Sequence, residues 1–148
     1  MSPQAYSWLT HVHGHIAVLG LAVLLHPVIT LRRRTGVSKN MLLSADLGAM
    51  LLTTAFAIGW FVYPVYRKSV KPPLWLGHPE VVLRFESKEH LAAMAVALAI
   101  AGALTLRIAG RRPVGREAAW ILLLLGWTLG VITAMFGVFV TGAAHPGF

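Results

Sequence analysis

Charge is missing from this sequence in four long blocks. Positions 6–31, 91–106 and 118–144 contain no Asp, Glu, Lys or Arg, and positions 41–63 contain only Asp46. With their flanks, these blocks approach the ~20 residues that a helix needs to cross about 30 Å of hydrocarbon. Charged residues are 12% of the chain, about half the ~25% of a soluble domain. So few ionisable side chains cannot cover the apolar surface of a chain whose residues are 57% hydrophobic. The expectation is an all-α integral membrane protein with spans at about 6–31, 41–63, 86–108 and 117–144. Residues 1–148 then form one transmembrane domain, an up-down four-helix bundle with short links. The first span reads as a resident helix and not a cleaved leader, because Met1–Tyr6 carries no positive charge and no small-x-small site follows. The absence of cysteine excludes a disulfide scaffold, a thiolate metal site and a cysteine nucleophile.

The net charge of +8 is a matter of topology. Arg32, Arg33, Arg34 and Lys39 lie between spans one and two, and Arg107, Arg111, Arg112 and Arg116 between three and four. Arg67, Lys68, Lys71, Arg84 and Lys88 border the middle connection, about 64–86. Eight basic residues against five put the short links in the cytoplasm, with both termini outside, as in a bacterial-type inner membrane. The basic links lack interleaved aromatics, so no nucleic-acid surface is expected. The segment Lys71-Pro-Pro-Leu-Trp-Leu-Gly-His-Pro-Glu80 reads as non-helical, with Trp75 on the membrane surface. Gly126-x-x-x-Gly130, continued by Ala134, Gly137 and Thr141, reads as a smooth stripe for helix packing.

Ionisable groups inside a membrane are costly, so their positions carry information. His11, His13, His15, His78, His90 and His145, with Glu80, Glu86 and Glu89, fall at one end of the bundle. His26 and Asp46 lie toward the other, as does Glu117 at the start of span four. His11 and His15 are one turn apart on one face, and His13 points nearly the opposite way. Spans one and three run in the same direction, diagonally across the bundle, so His15 and His90 lie at matched depth. Two imidazoles so placed can grip one iron from both sides. The expected cofactor is one haem b with His15 and His90 as axial ligands, His11 being an alternative to His15. Arg84, Lys88 or Arg67 would pair with the propionates, and Glu86 or Glu89 would accept from a ligating imidazole. His13, His78 and His145 read as interfacial, His26 as a capping or packing residue, and Asp46 as a partner for an arginine of the short links.

The run His11-Val-His-Gly-His15-Ile-Ala-Val-Leu-Gly20 resembles the histidine-bearing helix of small four-helix transmembrane b-type cytochromes, seen also in relatives of the haem–copper oxidases. That resemblance implies haem binding and electron transfer. Two-haem cytochromes b carry two histidines at separate depths on each of two helices. Here span one offers His15 and His26, while span three has only His90, so one haem is expected.

A second reading is a non-haem iron, copper or zinc site built from His11, His15, Glu86, Glu89 and His90. A di-iron carboxylate centre is disfavoured, since no Glu-x-x-His is present. A third is a cofactor-free accessory subunit of a larger membrane complex. An ion conduit would need polar residues at many depths, and the spans are too sparse. No nucleotide-binding or serine-hydrolase motif occurs. The expected partners are the lipid bilayer, a quinol or periplasmic redox protein, and other copies or subunits. A single haem near one face serves chemistry on one side, as a redox protein or an oxidoreductase subunit.

Overall fold

The computed structural model describes residues 1–33 and 36–144, so His145 and Arg34 lie outside the described residues. Among them the regular structure is entirely helical: α1 (Pro3–Arg33), α2 (Lys39–Val65), a π turn (Tyr66–Val70), α3 (Lys71–Gly77), α4 (Pro79–Ala109) and α5 (Pro113–Ala144). Four helical stretches, 4–33, 39–77, 79–109 and 113–140, are long and apolar enough to cross a membrane. Local chemistry sets the boundaries. The Ser38 side chain accepts from the Met41 N–H and starts α2, while Pro79 and Pro113 open α4 and α5, where no N–H is needed.

The middle connection departs from the sequence expectation. Lys71–Gly77 is helical, because Pro72 and Pro73 sit in its first turn, the position where the missing N–H costs nothing. The next helix starts at Pro79, well before position 86. Pro64, which lacks an N–H, lies two residues before the π turn, and the Tyr66 N–H is shared between the Val62 and Tyr63 carbonyls.

Each helix packs antiparallel on two neighbours: α1 on α2 and α5, and α4 on α2 and α5. Helices α1 and α4 are therefore diagonal, as the spacing of the spans predicts. Small residues make the seams. A Cβ on Gly48 would lie 3.0 Å from Leu24, and one on Gly102 2.7 Å from Leu123. Leu24, Ala99 and Leu123 are fully buried in the resulting core. The α5 stripe is divided among three tasks: Gly126 meets the α4 backbone, Gly130 receives Leu21 of α1, and Gly137 faces Lys88. The indole N–H groups of Trp120 and Trp127 donate to the Val28 and Leu21 carbonyls, at 3.0 and 3.1 Å, and tie α5 to α1.

At the end holding the 33–39 and 109–113 links, Arg107 of α4 pairs with Asp46 of α2. This is the arginine pairing expected of Asp46. His26 Nδ1 and the Ser44 hydroxyl are hydrogen-bonded at 3.0 Å, joining α1 to α2 at the same end. We refer to this as the basic end, and to the opposite one as the histidine end.

Candidate functional site

At the histidine end a second small core forms from Tyr66, Leu74, Val81, Val82 and Val140. Helix α3 closes it: Leu74 points in, while Trp75 and Leu76 remain exposed. Trp60 and Tyr63 of α2 and Tyr66 of the π turn recur every three residues and stack successively at 6.4 Å. Phe85 of α4 lies against Tyr66 with ring centroids 3.7 Å apart.

The histidines divide by helix phase. His13 shares a face with Gly20 and Leu24, the packing face of α1, so its ring enters the seam with α2. Its Nδ1–H donates to the Ala55 carbonyl at 2.7 Å. A Cβ on Gly59 would lie 3.1 Å from His13 Cε1, so the glycine leaves room for the imidazole. His11 and His15, on the opposite face, are exposed. Their Nδ1–H groups donate to the Ser7 and His11 carbonyls at 2.7 and 2.8 Å. His90 is likewise exposed, and donates to the Glu86 carbonyl at 2.8 Å. A carbonyl can only accept, so in all four rings Nδ1 carries a proton, and in the neutral imidazole Nε2 is then the nitrogen left for a metal. That is the state a metal-ligating histidine requires.

Three further groups turn inward beside His13. Lys88 is half-buried, with Nζ 5.3 Å from the Phe85 ring centre and 3.5 Å from where a Gly137 Cβ would stand. Glu89 lies next to it and pairs with Tyr63. Tyr66 is 3% exposed, and its hydroxyl is the one buried side-chain polar atom among the described residues with no hydrogen-bond partner. Leaving a buried hydroxyl unsatisfied costs about 1–3 kcal/mol. Tyr66→Phe is therefore expected to leave the ligand-free protein at least as stable as the wild type. A lower melting temperature for that variant would show that the hydroxyl has a protein partner.

The residues proposed from sequence are not gathered in one place. His15 and His90 stand on diagonal helices at matched depth, but on outward faces, and the structure does not bring them together across the core. Glu86 is held by Lys71 in an ion pair. Arg84 is exposed, with its guanidinium 5.7 Å over the Phe139 ring. His78 is exposed, 3.4 Å from Glu80. No group of three His, Asp or Glu side chains that could hold a metal ion occurs among the described residues. The sequence reading placed His13 at the interface, and Tyr63 and Tyr66 in an aromatic belt or a pocket wall, without assigning any of them to the site. The signal for His13 was its helical phase with Gly20 and Leu24, and for the tyrosines their three-residue spacing toward the seam with α4.

Comparison with known protein families, with curated proteins and with solved structures finds no match to this chain.

The donor set can be tested against a haem. His13 offers a free Nε2 on an interior imidazole whose tautomer is fixed by a main-chain carbonyl. Lys88 offers a sheltered cation, and Gly59 and Gly137 leave the space that the His13 ring and the Lys88 side chain occupy. Within the bundle, His13 would hold the iron through its imidazole and Lys88 would neutralise one carboxylate. The donor set does not fit a His15–His90 pair gripping one iron within it.

Proposed function

We propose that this chain is an integral membrane redox protein that holds one haem b at its histidine end. The observation that carries the reading is the inward imidazole of His13, fixed by the Ala55 carbonyl with Nε2 left free. When bound, haem supplies one-electron transfer. The chain's own residues do the rest. Ala55 and Gly59 orient the ligand, while Lys88, with Arg84 nearer the surface, neutralises carboxylates. Tyr66 offers a hydroxyl to whatever occupies the site. Below the site the core is Leu, Ala and Val without a buried polar side chain among the described residues. Such a core suits work confined to one face. A quinol or a periplasmic electron carrier is the partner that suits this placement.

The charge bias supports a bacterial-type inner membrane with the basic end in the cytoplasm and both termini outside. A reporter fused at the C-terminus is expected to be active only outside the cytoplasm. Cytoplasmic activity would reverse the orientation.

A second reading is favoured by a separate observation: His11, His15 and His90 also present free Nε2 atoms, on exposed faces. In that reading a neighbouring copy or subunit completes the iron or metal site. Single alanine variants separate the two, because loss of cofactor follows His13 in the first and His15 or His90 in the second.

A further inference from the structure

The bundle is two tightly meshed hairpins, α1 with α2 and α4 with α5, and the seam between α2 and α4 is less closely filled. Toward the basic end it opens into a groove of about 340 Å³, walled by Asp46, Met50, Thr53 and Thr54 on α2 and by Ile100 and Leu104 on α4. Ala49 and Ala103 form its floor. The volume lies at the lower end of the ~300–1,000 Å³ range of small-molecule sites. Both threonine hydroxyls donate back to carbonyls of their own helix, Ala49 and Met50. The groove therefore presents methyl and methylene groups along its length.

Its mouth is different. Asp46 and Arg107 pair there while remaining 35% and 57% exposed. An arginine has five N–H donors in a planar fork, more than one carboxylate uses. Lys39 lies two turns from Asp46 on the same face of α2, with Leu43, Met50 and Thr53 in line. Arg111 lies one turn beyond Arg107. Lys39 and Arg111 thus fall at the same end of the α2–α4 seam as the Asp46–Arg107 pair, beyond the mouth of the apolar groove.

We propose that this seam is a binding site for an anionic glycerophospholipid, with one acyl chain in the groove and the phosphate at Lys39, Arg107 and Arg111. Charge complementarity selects the headgroup, since basic pockets between spanning helices take up anionic lipids. The apolar walls select a chain over a second polar ligand. The inference rests on the chain being membrane-embedded and is independent of haem.

The test is native mass spectrometry of the full chain in detergent with equal amounts of dioleoyl phosphatidylglycerol and dioleoyl phosphatidylcholine. Wild type is expected to retain phosphatidylglycerol about fivefold or more over phosphatidylcholine, the scale of one basic side chain near anionic lipid. The double variant Lys39→Gln/Arg111→Gln, which keeps the ion pair, should lose that preference. Leu104→Trp, which places an indole in the groove, should lower retention of both lipids, and Thr54→Trp repeats the test from the α2 side. Equal retention of the two lipids by wild type would overturn the proposal. So would a double variant that behaves as wild type, unchanged retention in a folded groove variant, or dimers that carry no lipid. Recovery of the chain from cells without detergent would instead refute the membrane reading itself.

Discussion

His13→Ala is expected to strip haem from the purified protein. The reduced-band amplitude per mole of protein should fall by at least about tenfold, since loss of even an outer-shell partner costs ~10–100-fold in affinity. His15→Ala and His90→Ala should keep most of the signal. The contrast comes from helix phase: His13 lies in the α1–α2 seam, while His15, two residues on, points away from it. Gly59→Val offers a companion that leaves every imidazole in place. Its side chain would start 3.1 Å from His13 Cε1 and push the ring from the seam. It should weaken retention and shift the bands of what remains. If both seam variants bind as wild type while His90→Ala loses the signal, the ligands are the outward histidines and the site is completed by another subunit.

Gly126→Leu is expected to damage the α4–α5 seam severely. A Cβ at this position would lie 3.0 Å from the Ala99 nitrogen and 3.1 Å from the Ala95 carbonyl oxygen. Both are main-chain atoms of a regular helix and cannot swing aside, so α5 must move away from α4 as a body. Overpacking of this kind costs about 3 kcal/mol, a large part of the ~5–15 kcal/mol that holds a domain folded. Gly14→Leu is the control, with nothing within 4 Å of its Cβ position. Thermal unfolding in detergent should show a lower midpoint for the first and little change for the second. Equal midpoints would mean that the α4–α5 contact is looser than described.

The spans were legible because hydrophobic length depends on composition alone, and their short links dictated antiparallel neighbours. The pairing of Asp46 with an arginine followed from the cost of a lone carboxylate in apolar surroundings. The face of α1 was harder to read. His11, His13 and His15 give equal evidence of a polar patch, and only the seam made by Gly20, Leu24 and Gly48 decides which ring enters the core. Matched depth of His15 and His90 along the sequence says nothing of direction, and both side chains are exposed. The middle segment was misread because two adjacent prolines signal a break unless they occupy a first helical turn, as Pro72 and Pro73 do. Glu86 looked like a ligand until Lys71, fifteen residues earlier, was brought beside it by that short helix.

The central claim is a haem at the histidine end, and the direct measurement is the absorption spectrum of wild-type protein expressed with ample haem, oxidised and then reduced with dithionite. The account predicts a Soret band with near one haem per chain and reduced bands lost in His13→Ala. A folded, detergent-solubilised protein with no Soret band would contradict it.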